Sequence, residues 1–230
     1  MVNEAIILAG GLGTRLRGTI RDIPKAMAPV KGKPFIEYLL TYLDLSGINR
    51  VILSTGHLSS VINEHLGENF GNIHISYSEE KKPLGTGGAI ALAAPMIKED
   101  KFFVLNGDTL FKTSLKKMAH QHSETGADIT IALRKMDDIS RYGNISINDN
   151  NRILSFSEKE NQKVEGMINA GIYLINKSVL KMAVLPDIFS IEKDLFPILL
   201  RKSNIYGYTD SAYFIDIGTP ADYKKAQDEL

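Results

Sequence analysis

A chain of 230 residues, 43% hydrophobic and 23% charged, suffices for one domain with a sizeable core. Its 27 Lys and Arg balance its 27 Asp and Glu, which argues against a broad electrostatic grip on nucleic acid or an anionic membrane but allows a local basic pocket. The absence of cysteine excludes disulfides, thiolate catalysis and cysteine metal sites, and no apolar run approaches the ~20 residues of a membrane span. No basic region precedes the first apolar stretch, so no secretory signal is expected and the chain reads as soluble and cytoplasmic.

AIILAG (5–10) reads as a buried strand. PFIEYLLTYLDLSG (34–47) reads as a helix, with Pro34 at its first position, Ile36, Leu39, Leu40 and Leu43 on one face, and Gly47 ending it. RVILST (50–55) is a second strand, followed by a helix near 58–68 and a strand at HISYS (74–78). TGGAIALAAPMI (86–97) follows as a helix, FFVLNGD (102–108) as a strand, then a helix (114–124) and a strand (127–134). This alternation predicts right-handed crossovers and a mainly parallel sheet flanked by helices. Residues 143–175 then read as three strands, NISIN, RILSFSE and MINAGIYLI, expected as antiparallel hairpins over one edge or face of the sheet. A helix (190–202), a strand or two (205–215) and a helix opened by Thr219-Pro220 complete an α/β domain spanning 1–230 with a β-rich insertion.

The first strand runs into Gly10, Gly11 and Gly13, then Arg15. Glycines let backbone N–H groups approach an anion closely. Two known phosphate loops fail here. Leu16 stands where a dinucleotide fingerprint needs its third glycine, and Ser54-Thr55-Gly56 supplies no ribose-binding acid. Thr19 stands where a P-loop needs lysine. What remains is a glycine loop with its own cation, Arg15, and a second cation at Lys25 in DIPKAMAPV; alone, this reads equally well as a turn with a solvated arginine.

LAGGLGTRL (8–16), PKAMAPV (24–30) and GKPFIEY (32–38) resemble the opening of the sugar-1-phosphate nucleotidylyltransferases. PLGTGGA (83–89), NGD (106–108), FSEK (156–159), NAGIY (169–173) and DIGTP (216–220) follow in that family's order, and DIPKAMAPVKGKP is similar to the wording of short-form D-glycero-D-manno-heptose 1-phosphate guanylyltransferases. The departures are small: Ala26 where proline is frequent, and Gly87 where alanine is frequent. The resemblance implies a Rossmann-like fold of the nucleotide-diphospho-sugar transferase type, whose β-rich insertion binds the sugar.

The implied reaction is attack of a sugar-phosphate oxygen on the α-phosphorus of a nucleoside triphosphate, expelling pyrophosphate. An anionic nucleophile needs no general base, so the task is to bring two polyanions in line. On the same resemblance Asp108 and Asp216, at strand ends, would share Mg²⁺, while Arg15 holds the triphosphate and Lys25 leans on the α-phosphate. The nucleotide would lie on Leu8, Ala9, Gly10, Gly11, Gly13, Thr14, Gly85 and Thr86. The sugar phosphate would meet Asn106, Gly143, Glu158, Lys159, Asn169 and Gly171. Without the resemblance Glu158-Lys159 reads as an exposed charged pair, and Gly143 and Gly171 as turn glycines.

Glu80 falls where the family commonly reads the base, with Glu79 as the alternative. A carboxylate accepts both adjacent donors of guanine's Watson–Crick edge but repels the carbonyls flanking the single donor of uracil or thymine, which tilts the choice to GTP. His120 and His122, two apart on a helix, point to different faces, and His57, His65 and His74 have no acidic partner at ligand spacing. The expected product is an NDP-sugar, GDP-heptose in first place, for surface glycan synthesis. The alternatives are uridylyl or guanylyl transfer to a hexose or muramic-type sugar 1-phosphate, and a non-catalytic nucleotide-sensing subunit. The partners expected are small molecules alone, with a homodimer through the β-rich half as the assembly considered.

Overall fold

The first apolar run forms β1 (Glu4–Leu8), buried from Glu4 to Ile7 and partly exposed at Leu8. The computed structural model describes residues 2–11, 23–157 and 164–230. In chain order there follow a small hairpin, β2 (Pro29–Val30) and β3 (Lys33–Pro34), then α1 (Phe35–Leu45), β4 (Arg50–Thr55), α2 (Ser59–Leu66), β5 (Asn69–Phe70), β6 (Ile73–Glu79) and α3 (Gly85–Ala93). Next come β7 (Lys101–Asn106), β8 (Thr109–Phe111), α4 (Leu115–Glu124), β9 (Ile129–Met136), β10 (Asn144–Ile147), β11 (Ile153–Ser157) and β12 (Gly166–Asn176). The chain closes with α5 (Phe196–Leu199), β13 (Ile205–Thr209), β14 (Phe214–Asp216) and α6 (Pro220–Glu229).

Among the described residues, eight strands form the central sheet in the order β13-β9-β12-β7-β1-β4-β6-β5. β7, β1, β4 and β6 are mutually parallel. β12 runs antiparallel to both neighbours, β7 and β9, and β5 is an antiparallel edge. The apolar runs are continuous because both faces are covered. Ala5 and Ile7 of β1 pack with Leu39, Leu40, Met118 and Ala226 of α1, α4 and α6. Ile6 packs with Ile90, Phe196 and Leu199 of α3 and α5 on the other face. The expected α1 stripe, Ile36, Leu39, Leu40 and Leu43, is fully buried, although Pro34 caps the helix rather than beginning it.

The expectation for residues 143–175 needs correction. Only β10 and β11 form a separate antiparallel ribbon. β12 lies inside the main sheet, because Ile168, Ala170, Ile172, Tyr173, Leu174 and Ile175 are all buried and need cover on both faces. The helix expected at 86–97 gives way to a 3-10 turn at Ala94–Met96, where Pro95 removes a backbone donor. The helix expected at 190–202 is a wide turn, Ile191–Leu195, followed by one turn of α5 containing Pro197. His122 is buried, bonded to Thr130 (2.8 Å) and Asn176 (3.1 Å), whereas His120 faces solvent. Among the described residues no helix is long and apolar enough to cross a membrane.

Candidate active site

The sheet grows in opposite directions from β1, and ligands of open α/β sheets bind outside the carboxyl ends at such a point. Leu8 of β1 pairs in register with Asn106 of β7, and the Gly107 N–H donates to the Leu8 carbonyl at 3.0 Å. A cavity of about 460 Å³ opens there, bringing together Leu8, Ala9, Gly10, Gly11, Lys25, Glu80, Gly85, Thr86, Asn106 and Asp108. Gly13, Thr14, Arg15, Glu158 and Lys159 lie outside the described residues.

Asp108 follows β7, and Asp216 ends β14. β8 and β14 pair antiparallel, setting Asp216 opposite Thr109, while the Ile217 N–H donates to the Asp108 carbonyl at 2.9 Å. The two acids thus share one corner, and the Lys25 ammonium forms an ion pair with Asp108. Burial, then the charge of Asp108, pushes the Asp216 carboxyl up to about 6, against the opposing pull of Lys25 and the Gly218 N–H. The two carboxylates form an all-oxygen donor set that suits a hard divalent cation.

A second cavity of about 630 Å³ contains Asn106, Gly143, Asn169 and Asp216. Asn106 lines both cavities, and its buried Oδ1 has no hydrogen-bond partner among the described residues. Gly171 lines neither; it adopts φ +74° where the β12–β9 register shifts, and a Cβ there would stand 3.0 Å from Asn106 Nδ2. Its absent side chain therefore makes room for Asn106 rather than for a ligand. The Gly171 N–H donates to Asn169 Oδ1 at 2.9 Å, and Asn169 Nδ2 donates to the Tyr173 hydroxyl at 2.8 Å.

The same cavity includes Arg141, Tyr142, Ser190, Glu192 and Lys193, which the sequence reading did not single out. Arg141 and Tyr142 adjoin Gly143 in RYGN, so that stretch held a signal. Arg141 makes a two-pronged ion pair with Asp222 in the first turn of α6, which holds Asp222 below the ordinary carboxylate range despite its burial. Glu192 offered no signal, since FSIEKDL reads as a solvated helical charge.

On the wall of the first cavity, Glu80 Oε2 accepts the Leu84 N–H at 2.9 Å, which orients the carboxylate. Glu79 instead accepts the Ser59 hydroxyl at 2.7 Å and does not line the cavity. The first turn of α3, carrying Gly85 and Thr86, is packed against residues 187–191: Cβ atoms on Gly85 and Gly87 would lie 2.5 Å from the Phe189 carbonyl and 2.1 Å from its ring. These two glycines answer to Phe189.

A glycine-lined crevice at the switch point, with paired carboxylates where two cavities meet, defines the class of α/β proteins that transfer nucleotidyl groups. Residues 4–230 match the nucleotidyl transferase family model, and the chain belongs to that family. It is 45% identical over 227 residues to the D-glycero-alpha-D-manno-heptose 1-phosphate guanylyltransferase of Aneurinibacillus thermoaerophilus, covering 99% of this chain and 98% of that one. The Campylobacter jejuni protein of the same description is 43% identical, with 96% of each chain covered. The crystal structure of HddC from Yersinia pseudotuberculosis complexed with GMP-PN superposes with a TM-score of 0.88 at 38% identity, covering 99% of both chains.

Proposed function

We propose that this enzyme transfers GMP from GTP to D-glycero-α-D-manno-heptose 1-phosphate, releasing pyrophosphate and forming GDP-heptose. The observation that carries the reading is the Asp108–Asp216 pair, with Asp108 on the wall of one cavity and Asp216 on the wall of the other. The reaction needs that arrangement: triphosphate in one chamber, sugar phosphate in the next, and charge compensation at the boundary. The relatives named as heptose 1-phosphate guanylyltransferases, alignable along nearly their whole length, support the choice of substrates. On this reading the enzyme works as one domain in the cytoplasm, where GTP is at hand.

In the first cavity Leu8, Ala9, Gly10 and Gly11 would follow the nucleotide, with Gly13 and Thr14 beyond them. Glu80, tethered by the Leu84 N–H, would accept from guanine N1–H and the N2 amino group. Gly143, Asn106 and Asn169 would position the sugar phosphate, with Glu158 gripping hydroxyls and Lys159 the phosphate. A sugar-phosphate oxygen forms the new bond to the α-phosphorus as the α–β bridging P–O bond breaks, and the electron pair leaves with pyrophosphate. The nucleophile arrives ionised, so no residue must take a proton. Lys25 would exchange its hold on Asp108 for the α-phosphate, and Arg15 would hold the departing pyrophosphate. Asp108 and Asp216 fit Mg²⁺, which when bound neutralises phosphate charge.

Product formation with each of the four NTPs against heptose, mannose, glucose and muramic-type sugar 1-phosphates tests this reading. GTP with the heptose 1-phosphate should give the highest kcat/KM. A preference for UTP would remove Glu80 as the guanine reader.

A further inference from the structure

We propose that Glu192 is a positioning residue that couples occupation of the nucleotide cavity to occupation of the sugar-phosphate cavity. Its carboxylate collects three hydroxyl donors: Thr86 Oγ1 at 2.8 Å and Ser190 Oγ at 2.8 Å on Oε2, and Tyr173 Oη at 2.9 Å on Oε1. Thr86 lines the first cavity. Glu192 and Asn169 line the second. Asn169 Nδ2 donates to the same Tyr173 oxygen at 2.8 Å, so Thr86, Glu192, Tyr173 and Asn169 are consecutive links of one chain. Such a chain is stiff, because each bond polarises the next and a broken link strands a buried polar group. Tyr173 is fully buried, and burial together with the Glu192 charge raises its pKa well above the ordinary value, so it remains a donor.

The backbone makes the same connection. The Phe189 N–H donates to the Leu84 carbonyl at 3.0 Å, and the Phe189 carbonyl accepts from Gly87 N–H at 3.0 Å and Gly88 N–H at 3.3 Å. The Ile191 N–H donates to Thr86 Oγ1 at 3.0 Å. The start of α3 cannot shift on a bound nucleotide without carrying residues 189–192, and with them a wall of the sugar-phosphate cavity. A ligand that orders this unit on one side leaves less to order for a ligand on the other, so the two should bind with positive, reciprocal coupling.

The inference rests on the substrates assigned above and is tested by binding rather than turnover. The probe is a GTP analogue with a methylene group in place of the α–β bridging oxygen, which cannot release pyrophosphate. Its Kd is measured calorimetrically in Mg²⁺ with and without heptose 1-phosphate, for wild type and for Thr86→Val, Tyr173→Phe and Glu192→Gln. Wild type should show a tightening of about fivefold or more, equal in both directions, and each variant should fall to within about twofold of no coupling. Thr86→Val should thereby weaken sugar-phosphate binding in the ternary complex from the other cavity. Melting curves establish that the variants are folded; if one variant melts early, the other two carry the test. Binding without coupling in wild type, or full coupling in the folded variants, overturns the inference alone. No binding of the analogue to wild type overturns both the inference and the guanylyl reading.

Discussion

Gly87→Ala tests whether the packing of residues 187–189 against α3, rather than the ligand, dictates glycine in the first turn of this helix. At an open helical position Ala is better than Gly by about 1 kcal/mol, so a site with room should gain stability. Here the new Cβ would stand 2.1, 2.3 and 2.8 Å from Cε2, Cδ2 and Cζ of Phe189, against the ~3.5–4.0 Å at which carbons rest. The ring must move by roughly 1.5 Å, the difference between these distances. It has little freedom to do so, because Phe189 is buried and its backbone is bonded to Leu84, Gly87 and Gly88. Overpacking of this kind costs about 1–3 kcal/mol, so the net change should be a loss of up to about 2 kcal/mol after the helix gain. For a domain of this size each kcal/mol lowers Tm by about 2–4 °C, so thermal melts by circular dichroism should show a drop of several degrees. In a Phe189→Ala background, itself destabilised by about 3–5 kcal/mol, the same Gly87→Ala change should reverse sign and stabilise. A Tm for Gly87→Ala above that of wild type would refute the reasoning.

Asp108→Asn should lower kcat by orders of magnitude while the circular dichroism spectrum stays native; unchanged turnover would remove Asp108 from the reaction centre. Asp216 yields a stability prediction with a definite sign. Its folded pKa of about 6 exceeds the ordinary 3.8, so between those values the folded state binds more protons. In the metal-free protein this group's penalty is full above about pH 6 and fades as pH falls toward 4. Asp216→Asn should therefore melt higher than wild type at pH 7.5 in EDTA, with the gap closing by pH 4; a gap that widens on acidification would refute the assignment. Arg141→Met should raise the heptose 1-phosphate KM with little change in GTP KM, because it frees the Tyr142–Gly143 wall from Asp222. Its stability cost should stay under about 1 kcal/mol, as for other half-exposed pairs, and the charge swap Arg141→Asp with Asp222→Arg should recover part of the loss. Equal rises in both KM values would mean that Arg141 holds the fold rather than the sugar wall.

What was legible in the sequence is what short spacing encodes. The stripe of α1 and the strands read at 5–10, 50–55 and 102–108 follow from local periodicity, and the first and last of these end in the structure at Leu8 and Asn106, where the first cavity opens. β12 was legible as a strand but not as a central one. An apolar run states that it must be buried, not which neighbours bury it, and its place between β9 and β7 arises from pairing distant in sequence. The same distance hid Glu192, whose bond to Thr86 spans 106 positions. Gly87 shows most clearly how a local reading falls short. Judged alone, glycine in place of alanine looks neutral, since neither carries a functional group. Against Phe189 it becomes a matched pair, in which the absent methyl accommodates the ring, so any functional effect of changing Gly87 should travel through the segment that also holds Ser190 and Glu192. Local motif spacing could thus point to the chemistry, while the alignment of the two cavities depends on contacts that only the folded chain brings together.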